Sequence, residues 1–179
     1  MKNNMNRRRL LAGAAVGLVG ASTQPVMAKL VSAGGDYQFE VQRTEDEWRA
    51  MLTPEEFEIL RNGGTEVPKS SLWWENREAG TYSCKGCDLD VYESEYQVQL
   101  GKGWVFFFHG IPNHVMLGID KVKPSEYGGS GMVDEGPAGH LIEAHCRRCG
   151  SHLGHMLQVG LFLVHCINGT ALNFEPASA

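Results

Sequence analysis

Five cysteines carry most of the chemistry open to this chain, and four of them fall into two matched turns, Cys84-Lys85-Gly86-Cys87 and Cys146-Arg147-Arg148-Cys149. Two Cys-x-x-Cys turns together offer four thiolates, the ligand set of a closed tetrahedral zinc site. The long interval between the pairs would make such a site a tie between distant strands rather than a finger. Lys85, Arg147 and Arg148, inside the turns, would offset the negative charge of four thiolates on one divalent ion. If the chain is exported, two disulfides are the rival use of the same residues. Either use leaves Cys166 over. An odd cysteine in an exported protein is a candidate reactive thiol, and a buried cysteine packing as a small hydrophobe is the bland alternative.

The elements that must hold these residues can be read from local pattern. The alternation from Leu161 to Ile167 predicts a half-buried strand with His165 and Ile167 on one face and Cys166 on the other, followed by a turn at Asn168-Gly169. Thr44 with Glu47, and Thr53 with Glu56, are spaced as capping boxes, and Pro54 suits a first helical position. They predict short helices over 45–51 and 54–61, stopped by Gly63-Gly64, with Trp48, Leu52, Phe57 and Leu60 as the buried side. From Thr65 the texture changes to short β-favouring runs at 81–83, 91–92, 96–100, 104–108, 141–145, 152–157 and 161–166. With no long helical period among them, these predict antiparallel sheet, and 111–138 reads as a long connection rich in Pro, Gly and Ser.

Residues 1–28 have the form of a signal peptide. Lys2 and Arg7-Arg8-Arg9 precede a mildly apolar run from Leu10 to Ala21, and Val26-Met27-Ala28 is a small-residue cleavage pattern. The run is shorter than the roughly 20 residues of a membrane span. The paired arginines resemble a bacterial twin-arginine signal, whose pathway exports folded proteins and so would let zinc load in the cytoplasm; the ordinary secretory route is the alternative. Cleavage would remove four of the 16 basic residues and none of the 21 acidic ones, leaving 12 against 21 and a formal net charge of −9. That balance argues against nucleic acid or anionic lipid as a partner. The expectation is an exported, periplasmic protein with no membrane anchor after cleavage.

Cys84-x-x-Cys87, Gly103-Trp104, Cys146-x-x-Cys149-Gly150, His152-Leu153-Gly154-His155 and Cys166-Ile167-Asn168 resemble, in order and setting, the B-type methionine sulfoxide reductases (SelR domain). Leu52-Thr53-Pro54-Glu55, Gly64-Thr65-Glu66 and Gly80-Thr81-Tyr82 add to the resemblance. It spans residues 45–174, between an N-terminal segment at 29–44 and a C-terminal tail at 175–179. The resemblance implies a mainly β fold of two small antiparallel sheets with short N-terminal helices. A structural zinc on Cys84, Cys87, Cys146 and Cys149 would clamp it away from the active site. It also implies a peptide-methionine (R)-S-oxide reductase serving oxidative stress repair, acting on methionine-R-sulfoxide free or in proteins. Cys166 would be the nucleophile and pass through a sulfenic acid. His152, His155 and Asn168 would be polar site residues, and Trp104 would pack against the S-methyl group.

The chain departs from the family pattern at several positions. Val164 stands where many members have Arg, and Met156-Leu157-Gln158 opens a shortened 156–160 loop where an acidic one is usual. Val105-Phe106 replaces Pro-Ser, and Lys102 occupies the position of a recycling cysteine. With no resolving cysteine, the sulfenic acid would wait for an external thioredoxin-like dithiol. A sulfoxide sulfur accepts a thiolate only as its oxygen gains a proton or strong hydrogen bonds, which two imidazoles and an amide can supply. On an ideal strand His152 and His155 face opposite ways, so a bulge or turn must re-aim one of them. The competing reading is a zinc-clamped β binding module that recognises a small ligand or oxidised peptide without turnover.

Overall fold

A computed structural model of the chain describes residues 37–119 and 141–178. The expected signal peptide at 1–28 lies outside the described residues. Two helices come first, α1 at Glu45–Met51 and α2 at Pro54–Asn62. Both capping boxes form: Thr44 accepts from the Glu47 amide and Thr53 from the Glu56 amide, while each glutamate reaches back to its N-cap amide. A cap of this kind contributes about 1 kcal/mol, a large share of what helices this short can hold by themselves. Gly63, in the left-handed region with φ of 73°, ends α2. Trp48, Leu52, Phe57 and Leu60 are all buried.

The remaining elements are β1 (Gly80–Cys84), β2 (Asp90–Glu93), β3 (Gln97–Val98), β4 (Val105–Phe107), β5 (Val115–Ile119), β6 (Ile142–Cys146), β7 (His152–Val159), β8 (Phe162–Ile167) and β9 (Leu172–Pro176). They form two sheets, one of three strands in the order β2-β1-β9 and one of six in the order β3-β4-β8-β7-β6-β5, and every pairing is antiparallel. Two strands fall where none was expected. Val115–Ile119 forms an edge strand inside the stretch read as a long connection; its local sequence is β-favouring, but flanking Pro, Asn and Gly set the tone of the wider window. Leu172–Pro176 pairs along the whole of β1, and its Asn, Glu and terminal Pro are tolerable because it is an edge strand. Conversely, the run expected at 96–100 gives only two strand residues after a 3-10 turn at Ser94–Tyr96.

Between the sheets lies an aromatic core. The Tyr92 and Phe107 rings stack at 4.2 Å, and Tyr82 meets Phe107 edge-on at 5.3 Å. Each phenol has a partner, Tyr92 with His165 Nδ1 at 3.0 Å and Tyr82 with Asn76 and Gln97 at 2.9 Å. Burial pulls the His165 pKa down to about 4, so this histidine is neutral and serves the core under β8. As the alternation predicts, His165 and Ile167 face the core and Cys166 faces away.

The register of β7 is broken once. Ala144 pairs with Gly154 but the next residue, His145, pairs with His152, so Leu153 is the extra residue of a bulge. Gly154 is required there, because a Cβ would collide with the Cys166 carbonyl oxygen and lie 2.9 Å from the Ile167 Cα. Gly154→Ala should therefore lower the unfolding free energy by about 1–3 kcal/mol, seen as a reduced urea midpoint with an unchanged slope.

Candidate active site and metal centre

Strand pairing assembles the site from residues distant in sequence. Cys166 on β8 is directly opposite Phe106 on β4 and His155 on β7, and His155 is opposite Glu143 on β6. Residues so paired share a face, with Cβ atoms about 4.5–5.5 Å apart. One row across the sheet thus reads Phe106, Cys166, His155, Glu143. The bulge at Leu153 brings His152 into the same group, with its ring 4.9 Å from that of His155 and its Nδ1 2.8 Å from Glu143 Oε1.

Below the end of β8, a second carboxylate organises the chain. Glu66 is 3% exposed and accepts hydrogen bonds from the amides of Gly169 at 2.9 Å and Thr170 at 2.7 Å, in the 3-10 turn that follows Asn168. Its own amide donates to Asn168 Oδ1 at 3.0 Å, and its carbonyl accepts from the Trp104 indole at 3.3 Å. Asn168 spends its amide hydrogens on the carbonyls of Leu153 at 3.1 Å and Gly64 at 3.4 Å. The Asn168 side chain therefore ties the bulge, the Gly64–Glu66 segment and the end of β8 together. Trp104, partly exposed, is held to the same segment at the start of β4.

Cys166 is partly exposed, a free thiol outside the cluster of the other four. Burial pushes its pKa up to about 12, and the negative charge of Glu66 adds to the shift. Val164, in place of a cation two residues before it, is fully buried and offers no compensating charge. The thiol is thus protonated at neutral pH, and any attack it makes must hand that proton to a neighbouring base.

The four remaining cysteines come together from both sheets. Cys84 ends β1 with Cys87 in the turn to β2; Cys146 ends β6 with Cys149 in the turn to β7. Their sulfurs lie within 4.8 Å of one another, with Cys84 and Cys149 at 3.7 Å and Cys87 and Cys146 at 3.5 Å. An ion bound tetrahedrally at about 2.3 Å from each sulfur sets sulfur–sulfur edges of about 3.8 Å. The cluster fits such an ion, and all four cysteines are free rather than bridged. Hydrogen bonds among the thiols hold the Cys149 pKa far below its ordinary value and push those of Cys84 and Cys146 up, as sulfurs crowded this closely do when they share one charge.

The cations expected to offset that charge also pair with carboxylates. Lys85 pairs with Glu56 at 3.4 Å, and Arg147 and Arg148 reach Glu40 at 3.3 and 3.9 Å. Arg148 also donates to the Cys87 carbonyl at 3.2 Å, and Arg61 is a further cation at the cluster. It stacks on Trp48 at 4.5 Å and donates to the Cys149 carbonyl and Ser151 Oγ at 3.3 Å; burial lowers its pKa, and the Cys149 and Cys84 charges oppose that. Glu66, Glu143 and Arg61 are the residues that sequence reasoning passed over. A signal existed for Glu143, a lone carboxylate in an otherwise apolar strand start; Arg61 read only as the last turn of a helix.

The raised pKa sets the reactivity of the resting thiol. With the metal ligands protected by bound zinc, iodoacetamide should label Cys166 slowly near neutral pH, with a rate still climbing past the ordinary thiol value of 9.0 toward about 12. Glu66→Gln removes the like charge and should move that climb to lower pH, as read by mass spectrometry of the alkylated peptide.

Comparison with known proteins covers the stretch of chain that carries these residues. A family model described as the SelR domain matches residues 52–176. The chain is 36% identical over 144 residues to peptide methionine sulfoxide reductase B3 of Arabidopsis thaliana, covering 78% of this chain and 73% of that protein. It is 36% identical over 138 residues to peptide methionine sulfoxide reductase MsrB of Methanosarcina barkeri, covering 75% and 88%. With the protein of the same name from Leptospira interrogans it shares 32% over 140 residues, covering 76% and 97%.

Proposed function

From the premise that the chain belongs to the SelR domain family, we propose that it reduces methionine-R-sulfoxide, in oxidised proteins or free, with Cys166 as the nucleophile. The observation that carries this reading is the placing of Cys166 directly opposite His155 on adjacent strands, with the His152 ring beside that of His155. Oxygen moves from the sulfoxide to the cysteine: the S–H bond and the sulfoxide S–O bond break, an S–OH bond forms, and a thioether leaves. The one proton required begins on Cys166 and ends on the transferred oxygen. An imidazole beside the thiol can take it as the sulfur attacks and give it to the oxygen as charge develops there. His155 is the shuttle in this scheme, and His152 supports it.

Trp104, partly exposed, offers an aromatic surface for the S-methyl group, and the buried Phe106 supports Cys166 from the neighbouring strand. Asn168 acts through position, fixing the nucleophile's strand end to the bulge that turns His152. With the other four cysteines gathered in their own cluster and Lys102 in the glycine loop, the sulfenic acid has no internal thiol and is reduced by an external thioredoxin-like dithiol. The metal is zinc, held by Cys84, Cys87, Cys146 and Cys149 with no open position, so that it ties the sheets and takes no part in the reaction. Export by the arginine-bearing leader, to a bacterial periplasm, completes the reading and rests on residues 1–28 of the sequence alone.

Two measurements test this. Assayed with separated epimers and dithiothreitol, the protein should turn over the R sulfoxide alone, and one equivalent of it followed by dimedone should leave a single adduct, on Cys166; preference for the S epimer would sink the reading, and binding without turnover would favour a recognition module. Metal analysis should find about one zinc per chain, with Cys149→Ser losing the ion and several kcal/mol of stability.

A further inference from the structure

Glu143 stands at the end of the Phe106, Cys166, His155 row, and the scheme above gives it no part. Its Oε1 lies 2.8 Å from His152 Nδ1. An ionised carboxylate only accepts, so the hydrogen of that bond sits on Nδ1. Its other oxygen is 3.7 Å from His145 Nδ1, an ion-pair distance rather than a hydrogen bond. His152 is 3% exposed, and its Nε2 has no hydrogen-bond partner among the described residues. Leaving a buried polar nitrogen unpaired costs about 1–3 kcal/mol.

We propose that Glu143 is a positioning residue for the reduction, holding His152 in the Nδ1–H tautomer so that its buried Nε2 is kept as an unprotonated acceptor beside His155. The inference rests on the reading of Cys166 and the histidines given above. Glu143 itself neither gains nor loses a proton. Its carboxylate fixes the ring orientation, and its charge stabilises the imidazolium that forms whenever Nε2 takes up a proton. The bulge and the carboxylate thus divide the work: the extra residue at Leu153 turns the ring to the Cys166 face, and Glu143 selects which nitrogen is presented there.

The test combines nitrogen-15 NMR of the resting, metal-loaded protein with steady-state kinetics on the R sulfoxide. Wild-type His152 should show a protonated Nδ1 and a bare Nε2. Glu143→Gln keeps an acceptor oxygen without the charge; it should keep the tautomer, lower kcat about tenfold and leave KM within about twofold. Glu143→Ala, checked for retained zinc and circular dichroism, should admit the Nε2–H tautomer and lower kcat about a hundredfold. Failure of the reductase reading shows separately, as a wild type without R-sulfoxide turnover. An active wild type with His152 in the Nε2–H form, or a Glu143→Gln variant with unchanged kcat, overturns the proposal.

Discussion

The register between β7 and β8 is the constraint on which the site depends. It sets His155 opposite Cys166, Leu157 opposite Val164 and Gly154 opposite Ile167. Because side chains alternate, a slip of one residue would turn Cys166 into the core and expose Ile167 and His165. Several interactions guard against that slip. Ile167 and Val164 are fully buried on opposite faces, His165 is bonded to Tyr92 beneath the sheet, and Asn168 is bonded to Leu153 at its end. Removing any one contact would cost a few kcal/mol at most, but the register they agree on is worth the whole site.

The four-sulfur cluster has a different task. Each Cys-x-x-Cys turn caps a hairpin of a different sheet, β1–β2 in one and β6–β7 in the other. An ion held by all four therefore joins the two sheets at the hairpin that also carries His152 and His155. Around it Trp48, Arg61 and the turn at Gly86 pack together, so the helices are fastened to the same point. This explains how two helices of seven and nine residues, too short to persist alone, have a fixed place.

What was legible in the sequence was whatever depends on neighbours a few residues apart. The capping boxes, the Gly63 stop, the paired cysteine turns and the alternation around Cys166 are all local, and all formed as read. What depends on pairing across strands was not legible. Glu143 acquires meaning only because it lies opposite His155, and Glu66 only because it caps a turn about a hundred residues away. The bulge could be argued as a necessity from the spacing of His152 and His155, but its place, at Leu153, is set by β6. Lys85, Arg147 and Arg148 are close to the sulfurs in sequence, but Lys85 and Arg147 pair with carboxylates while Arg148 keeps a bond to the Cys87 carbonyl; Arg61, distant in sequence, is the buried cation beside Cys149. Strand β9 was hidden by an edge strand's tolerance for Asn, Glu and Pro.

Keeping the Cys166 thiol protonated has a consequence for how the protein ages. Hydrogen peroxide and similar small oxidants react with thiolates, so a site whose thiol is held by burial and by the Glu66 charge in its neutral form is a poor target for them. The burial that makes the resting thiol sluggish toward alkylating agents thus also shields it from the first step of oxidation by small peroxides.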